Sequence, residues 1–248
     1  MITQLLVPAN WESSPGIPLL CFPYAGGSPY LFMDWVARLR PEIRVAGVQL
    51  PGKGTRLTES PLRTAEEAVA EVAANFPDLE DRGFALYGHS LGAIFALELA
   101  RSLCRRGGPR PRHLFVGGAK PPQLGPTRPP LSALPDPEFL EAVQKRYGGI
   151  PAKILEQEEI LALFLPSLRA DFVIYESYIC AQQPPLDCPI SAFAGESDSL
   201  VPASMMQGWG VHTSQAFDLS ILPGGHFFLQ ESRDALIMRI RQRLMAPL

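Results

Sequence analysis

The segment Gly88-His89-Ser90-Leu91-Gly92 has the spacing G-x-S-x-G, which can place a serine hydroxyl as a nucleophile. An apolar run, FALYG, leads into the motif and an apolar helical pattern leaves it, so we predict a sharp turn between a strand and a helix. Residues that flank the serine in such a turn must be small, and Gly88 and Gly92 are. The alternative is a serine that only caps a helix. The complete strand, turn and helix favour Ser90 as a nucleophile.

A nucleophilic serine needs a base, and the base needs a carboxylate to orient it. After a turn of this kind, the usual chain order is serine, then aspartate or glutamate, then histidine. Asp198 follows the predicted strand 190–195, and His226 follows the predicted strand 217–222 in the loop LPGGHFF. The alternatives are a helix cap for Asp198 and a structural hydrogen-bonding role for His226. The order and the loop positions predict a triad of Ser90, Asp198 and His226.

Other residues compete for two of these roles. Glu196 is a second carboxylate, but it stands directly after the strand and has less loop in which to turn than Asp198. His89 is adjacent to the serine, and neighbours on a sharp turn point apart, so we expect it to pack or hydrogen-bond nearby. His113 begins a predicted strand, and His212 falls in a predicted surface helix. Neither of these two histidines has the position of a catalytic base.

Acyl transfer places negative charge on a carbonyl oxygen, and two backbone N–H groups should face that oxygen. One should belong to Leu91, the residue after the nucleophile. The second should come from the loop CFPYAGGS (21–28), whose glycines let the backbone approach a substrate closely. A Gly-Gly turn without a function is the alternative. The HGGG sequence that lipases and esterases often carry at this point does not occur here.

A parallel sheet would bring these residues together. Apolar runs alternate with helical patterns, which indicates a mostly parallel central sheet with helices on both faces. The predicted strands are 17–22, 44–48, 84–88, 113–117, 190–195 and 217–222, and the predicted helices are 64–76, 90–106 and 232–244. Helix 64–76 begins with Thr64 and Glu67, which form a capping box. With the order of the motifs, this pattern predicts the α/β-hydrolase fold.

The stretch 119–187 breaks the alternation, because it has helical patterns separated by prolines and no convincing strand. One apolar helix face is predicted from Leu161, Phe164, Leu165, Leu168, Phe172, Tyr175 and Ile179. We expect Pro166 to kink or divide that helix. We predict that 119–187 is a helical lid inserted between the core segments 1–118 and 188–248, since long insertions are usually functional. A layer that only covers the sheet edge is the alternative.

Four residues of the predicted lid face are expected to line a substrate pocket, although packing in the core is an equal interpretation for any one of them. They are Phe164, Leu168, Phe172 and Tyr175.

Composition limits the partners and the compartment. The formal net charge of −3 argues against a nucleic-acid partner, which would favour a strongly basic domain. No apolar run approaches the roughly 18 residues that indicate a membrane span, and the N-terminus has no signal-peptide pattern. The four cysteines are widely spaced and no metal-ligand spacing is visible. We therefore expect reduced thiols, no metal and a cytoplasmic protein.

Five motifs resemble, in chain order, those of the type II thioesterases associated with polyketide and nonribosomal peptide synthases. They are FPYAGG (22–27), QLPGKGTR (49–56), GHSLG (88–92), GESDSLV (195–201) and GGHFFL (224–229). YGGIP (147–151) and LPSLRADF (165–172) are similar to segments of that family's lid. The likeness spans nearly the whole chain. Lys53 stands where arginine is more usual in the family, at a position to which no chemistry is assigned.

The resemblance implies hydrolysis of acyl thioesters on the phosphopantetheine arm of acyl or peptidyl carrier proteins, in an editing role that clears stalled chains from a synthase. By motif position it implies Ser90, Asp198 and His226 as the triad, and Ala25 and Leu91 as the oxyanion donors. The pantetheine arm is part of the substrate, so no cofactor is expected, and a monomer is the default.

Three other functions stay open from the sequence. The medium-chain thioesterase of animal fatty acid synthesis looks similar over the same motifs. An esterase or lipase that acts on oxygen esters would use the same triad, although the missing HGGG sequence disfavours it. A hydrolase-fold scaffold that binds without catalysis is the least favoured, because the predicted triad is intact.

Overall fold

A computed structural model describes residues 5–8, 11, 14–77, 79, 83–126 and 128–246. The described strands are β1 (Leu6–Val7), β2 (Ile17–Phe22), β3 (Ile43–Val48), β4 (Phe84–His89), β5 (Pro111–Gly117), β6 (Ile190–Gly195) and β7 (Phe217–Leu222). They form one sheet in the order β1-β3-β2-β4-β5-β6-β7. β1 is antiparallel to β3, and every other pair is parallel. All six predicted strands are confirmed, and the short β1 was not predicted.

Helices connect the strands. They are α1 (Met33–Leu39), α2 (Ala65–Ala74), α3 (Leu91–Arg105), α4 (Asp136–Arg146), α5 (Ala152–Leu155), α6 (Glu158–Ser177), α7 (Ala203–Met206), α8 (Phe228–Glu231) and α9 (Arg233–Met245). The predicted helices 64–76, 90–106 and 232–244 correspond to α2, α3 and α9. The capping box is present, because Thr64 Oγ1 accepts the Glu67 N–H at 3.1 Å and Glu67 Oε2 accepts the Thr64 N–H at 3.2 Å.

The sheet has a hydrophobic core on each face. On one face α2 and α3 pack against the strands through residues that include Leu97 and Leu20. On the other face α1 and α9 pack through residues that include Trp35, Leu236 and Leu19. Consecutive residues of β2, Leu19 and Leu20, therefore belong to opposite cores, as the alternation of side chains along a strand requires. The predicted parallel sheet with helices on both faces is confirmed.

The chain between β5 and β6 contains α4, α5 and α6, which share a smaller core of their own. Its buried residues are Leu131, Phe139, Val143, Ile150, Leu168 and Phe172. Of the two expected effects of Pro166, a kink or a division, the division does not occur, because α6 continues through this residue. Pro166 is exposed in the first half of the helix, where water can reach the carbonyl that loses its partner. Ile179 lies beyond the helix and is 79% exposed, so it does not belong to the apolar face.

All four cysteines lie in described segments and are free thiols. Cys21 and Cys188 are buried. Burial raises the pKa of the Cys21 thiol well above its ordinary value, and burial with nearby charges raises the pKa of Cys188 to about 12. Both thiols are therefore protonated and unreactive at neutral pH. In the described ranges no helix is both long and apolar enough to cross a membrane.

Candidate active site

Ser90 lies on the turn between β4 and α3. Its φ is +53°, and no other residue except glycine has a positive φ in the part of the chain that the structure describes. A Cβ at Gly88 would lie 2.2 Å from the carbonyl oxygen of Gly92, and a Cβ at Gly92 would lie 2.2 Å from that of Phe22. Both flanking positions therefore require glycine. The Ser90 N–H donates to the Gly117 carbonyl at 2.8 Å, which ties the turn to β5.

The Ser90 hydroxyl points towards a histidine and does not cap the helix. Ser90 occupies the N-cap position of α3, but its side chain makes no capping hydrogen bond. Its Oγ lies 3.3 Å from Nε2 of His226, and Nδ1 of His226 lies 2.9 Å from Oδ2 of Asp198. The structure thus brings the three predicted side chains into one network, with the imidazole between the hydroxyl and the carboxylate.

Asp198 is held from two sides. Its Oδ2 faces His226, and its Oδ1 accepts the N–H groups of Leu200 at 2.8 Å and Val201 at 3.0 Å. Burial alone would raise the pKa of Asp198, but the hydrogen bond and charge of His226 and the two N–H groups outweigh it and lower the pKa. Asp198 is therefore an anion at neutral pH. The competing carboxylate, Glu196, is exposed to solvent.

His89 supports the loop that carries His226. The ring of His89 is fully buried. Its Nε2 donates to the backbone carbonyl of His226 at 2.8 Å, and its Nδ1 accepts from the Tyr87 hydroxyl at 3.2 Å. Burial, together with the nearby His226, lowers the pKa of His89 to about 3, so the ring is neutral. His89 thus packs and hydrogen-bonds beside the network, as its position on the turn predicts.

The two remaining histidines take part in other networks. His113 Nε2 lies 2.8 Å from Ser191 Oγ inside the sheet. His212 was predicted in a surface helix, and this is wrong, because the residue is buried and only 4% exposed. Arg101 on α3 lies 3.1 Å from His212 Nδ1, and Gln123 lies 2.7 Å from Nε2. Burial lowers the pKa of both histidines to about 4.

The loop after β2 places Ala25 in the wall of the same cavity as the triad. A hydrogen bond from the Gly27 N–H to the Tyr24 carbonyl at 2.8 Å closes a turn around Ala25. Gly26 within this turn has a φ of +74°, which favours glycine. Among the described residues, no protein acceptor takes the backbone N–H of Ala25 or of Leu91. Both N–H groups are therefore free of protein acceptors in the described part of the chain.

Ser90 and His226 line a cavity of about 310 Å³. The four residues predicted for the pocket, Phe164, Leu168, Phe172 and Tyr175, all lie in its wall. Tyr147 and Phe227 line it as well. The cavity therefore suits an acyl group bound next to the serine. In the ranges that the structure covers, no three His, Cys, Asp or Glu side chains are grouped so that they could hold a metal ion.

Two charged residues of this region were not assigned a role from the sequence. Lys53 lines the cavity, and its ammonium forms a salt bridge with Asp171 on α6. The two side chains are only 10% and 7% exposed. Asp171 also accepts the Gly26 N–H at 2.6 Å. The available signal was an acidic residue within an apolar helix face, between Leu168 and Phe172.

A serine on a strand–turn–helix elbow, followed by an aspartate and a histidine after later parallel strands, defines the α/β-hydrolase class. The sheet, the helices on both its faces and the chain order described above place this protein in that class, as the motifs predict.

The chain belongs to the thioesterase family, since the family model for the thioesterase domain matches residues 17–244. Gramicidin S biosynthesis protein GrsT of Aneurinibacillus migulanus is 36% identical over 95% of this chain and 92% of its own length. RedJ, a thioesterase of the prodiginine biosynthetic pathway in Streptomyces coelicolor, is 40% identical with a TM-score of 0.85, over 94% of this chain and 87% of RedJ.

BorB, the type II thioesterase from the borrelidin biosynthetic cluster, is 32% identical with a TM-score of 0.82, over 92% of this chain and 93% of BorB. Each of these likenesses covers most of both proteins. Together they confirm the family and the fold that the motifs predict.

Proposed function

We propose that this chain hydrolyses acyl groups held as thioesters on the phosphopantetheine arm of acyl or peptidyl carrier proteins, as an editing enzyme of a polyketide or nonribosomal peptide synthase. The observation that carries the proposal is the continuous network from Ser90 through His226 to Asp198, at the wall of a cavity of about 310 Å³. Membership in the thioesterase family supports the thioester as the bond that is cleaved. Relatives that belong to biosynthetic pathways support a synthase as the partner.

In the first half-reaction, Ser90 Oγ attacks the thioester carbon while His226 Nε2 accepts its proton. Asp198 holds the imidazole in the required tautomer and stabilises the imidazolium. The N–H groups of Ala25 and Leu91 donate to the oxyanion, and the loss of one such donor typically costs about 10²–10³ in kcat. When the intermediate collapses, the C–S bond breaks and His226 protonates the sulfur. The carrier leaves with a free pantetheine thiol, and the acyl group remains on Ser90.

In the second half-reaction, His226 accepts a proton from water as the water oxygen adds to the ester carbon. The bond between that carbon and Ser90 Oγ then breaks, and His226 returns the proton to the serine. The product is a free carboxylic acid. No step calls for a metal ion or a redox cofactor, so the pantetheine arm serves only as part of the substrate.

Residues 119–187 form a lid in this proposal, between the core segments 1–118 and 188–248. The support is that α6 supplies five residues of the cavity wall and that α4 to α6 share a separate small core. The loop before α5 also touches the neighbour of the catalytic histidine, since a Cβ at Gly149 would lie 2.4 Å from the ring of Phe227. The helical segment is therefore in contact with the site at two points.

The test compares kcat/KM for one acyl group presented as a carrier-protein thioester, as a pantetheine thioester and as a nitrophenyl ester. We expect the carrier thioester to be the best substrate and Ser90→Ala to hydrolyse none of the three. A preference for the nitrophenyl ester would indicate an esterase or lipase. A series of acyl lengths distinguishes the editing enzyme from the medium-chain thioesterase of fatty acid synthesis. A strong preference for medium chains over short ones would indicate the latter.

A fluorophosphonate probe, which reacts with nucleophilic serines, tests the alternative that the protein is a scaffold without catalytic activity. We expect the folded protein to be labelled at Ser90, and failure to label would favour the scaffold. The proposed monomer is checked by light scattering after size exclusion, and the cytoplasmic location by fractionation of the producing cells.

A further inference from the structure

The buried carboxylate of Asp171 joins three separate parts of the chain. It lies on α6, between the two cavity-lining residues Leu168 and Phe172. Its Oδ2 accepts the Gly26 N–H from the loop after β2 at 2.6 Å and pairs with the ammonium of Lys53 from the loop after β3. A carboxylate that is only 7% exposed needs such partners, because an unpaired buried charge is very costly.

The loop that carries Lys53 is braced by the side chain of Gln49. Gln49 Nε2 donates to Thr55 Oγ1 at 2.8 Å, and Gln49 Oε1 accepts the Thr55 N–H at 3.0 Å. A Cβ at Gly54 would lie 2.1 Å from Gln49 Oε1, so the close approach depends on glycine there. These contacts hold the loop in place, and so they help to position the Lys53 ammonium against Asp171.

The contacts of Asp171 bear on the oxyanion loop through the two peptide groups that flank Ala25. The peptide before Ala25 is held because the Tyr24 carbonyl accepts the Gly27 N–H at 2.8 Å. The peptide after Ala25 is held because the Gly26 N–H donates to Asp171. With both peptide planes fixed, the direction of the Ala25 N–H is fixed as well.

Lys53 and Asp171 also lie close to the second expected donor. Both residues line a small cavity of about 10 Å³ that Tyr24 and Leu91 line as well. A negative charge so near two oxyanion donors would oppose a second negative charge on the substrate unless a cation neutralised it. The Lys53 ammonium is placed to do this.

We propose that Asp171 is a positioning residue for the oxyanion hole, and that Lys53 neutralises it so that it does not repel the oxyanion. Asp171 acts through the backbone of residues 25 and 26 and does not touch the substrate. The inference rests on the proposed function, because it takes Ala25 as an oxyanion donor. If Asp171 has this role, the geometry of the oxyanion hole depends on the position of α6.

Four variants test the proposal: Asp171→Ala, Lys53→Met, Lys53→Arg and the double variant Lys53→Met/Asp171→Asn. The readouts are kcat and KM on an acyl-pantetheine thioester, the inhibition constant of a trifluoromethyl ketone with the same acyl chain, and Tm. The ketone forms a tetrahedral adduct with an oxyanion, so its affinity reports on the oxyanion hole. We expect Asp171→Ala and Lys53→Met to lower kcat by about 10–10³, with KM nearly unchanged and ketone binding weakened in parallel.

Lys53→Arg keeps the charge and should retain kcat within a few-fold. The double variant removes the unpaired carboxylate while the asparagine can still accept the Gly26 N–H, so it should recover most of the kcat lost in Lys53→Met. The matched control is Glu176→Gln, a carboxylate of the same helix that binds the backbone N–H groups of Leu131 and Ser132. We expect Glu176→Gln to leave kcat and ketone binding within a few-fold of wild type.

The proposal is overturned if folded Asp171→Ala or Lys53→Met keeps wild-type kcat and ketone affinity, or if the double variant is no better than Lys53→Met. Should Asp171→Ala not fold, the Lys53 variants decide the question. A failure of the proposed function looks different, because wild type would then hydrolyse no thioester. In that case the rate of fluorophosphonate labelling at Ser90 replaces kcat, since it too builds charge in the oxyanion hole.

Discussion

The proposed catalytic triad can be compared with a second group of serine, histidine and aspartate, which lies across strands β5, β6 and β7. Ser191 on β6 lies 2.8 Å from Nε2 of His113 on β5 and donates to Oδ2 of Asp218 on β7 at 2.7 Å. Asp218 also pairs with Arg243 on α9 at 3.0 Å. The residue types are those of the triad, but here the serine, and not the histidine, stands in the middle.

The difference teaches what makes a serine nucleophilic. In the triad, the imidazole of His226 can accept the Ser90 proton while Asp198 holds it from the other side. In the inner group, the Ser191 hydroxyl already donates to a carboxylate, and the residue is fully buried. No substrate carbon can reach the Ser191 oxygen, because the residue is fully buried. The order of the side chains and their access decide the chemistry.

The largest expected contrast is between the two serines. Ser90→Ala should lower kcat by roughly 10⁶, as the loss of a nucleophile does in comparable triads. Ser191→Ala should keep kcat within about tenfold, because its hydroxyl has no part in the reaction. Thioester hydrolysis followed by thiol release measures both. If a folded Ser191→Ala protein lost as much kcat as Ser90→Ala, our assignment of Ser90 as the only reacting serine of the two would be wrong.

The two aspartates give the next largest contrast. Asp198→Asn should lower kcat by about 10⁴, because the amide favours the wrong tautomer of the imidazole. Asp218→Asn serves as the control, and its kcat should stay close to that of wild type, since Asp218 faces a hydroxyl that does not react. Single-turnover kinetics on the same thioester would show whether acylation is the step affected. Equal rates for the two variants would contradict our assignment.

On stability the contrast is reversed. Ser191→Ala leaves the buried His113 ring without its hydrogen bond and takes one partner from Asp218, so the free energy of unfolding should fall by about 1–3 kcal/mol. Ser90→Ala should change it by less than about 1 kcal/mol, because the hydroxyl lies at the edge of a cavity and not in a packed core. Urea unfolding monitored by tryptophan fluorescence measures both values. A less stable Ser90→Ala than Ser191→Ala would show that we have misjudged which serine is structural.

The smallest contrast concerns pH. Burial lowers the pKa of His113 to about 4 in the folded protein, below the roughly 6.5 of an unfolded histidine. The unfolded chain therefore binds the extra proton between these values. The stability that neutral His113 contributes is complete above pH 6.5 and is lost as the pH falls towards 4.

His113→Gln should accordingly flatten the fall in stability with acid by up to about 1.4 kcal/mol per pH unit. Urea midpoints measured between pH 7 and pH 4.5 give the two slopes. His89 and His212 also have lowered pKa values and contribute to the slope that remains. Parallel slopes for wild type and variant would mean that His113 is protonated in the folded protein.

Much of the fold, and the meeting of Ser90, Asp198 and His226 in one network, could be predicted because the signals are local. The tight turn around Ser90 requires glycine on both sides, and the requirement is visible within five residues. The capping box of α2 is likewise read from Thr64 and Glu67. The strands β2 to β7 are short apolar runs bounded by turns, so their ends were placed within two residues of those observed.

Two of the features that were missed depend on residues far apart in the chain. Lys53 and Asp171 are separated by 118 positions, and no spacing pattern links them. His212 was expected in a surface helix, but it is buried, and its Nδ1 lies 3.1 Å from Arg101 on α3, 111 positions away. Pro166 was expected to kink or divide α6, and the helix is not divided there, because the proline lies on its exposed side, where water can reach the freed carbonyl. Tertiary contacts decide the first two cases, and exposure to solvent decides the third.

Residues of α6 line the cavity, and Asp171 on the same helix accepts the Gly26 N–H. This link affects how the proposed enzyme would discriminate among acyl groups. A bulky acyl group that displaces α6 would stay bound, but the loop that carries the Ala25 N–H would be misaligned. Discrimination would then arise in the turnover step and not in affinity. A synthase intermediate of the wrong shape could thus occupy the enzyme and leave with its thioester intact.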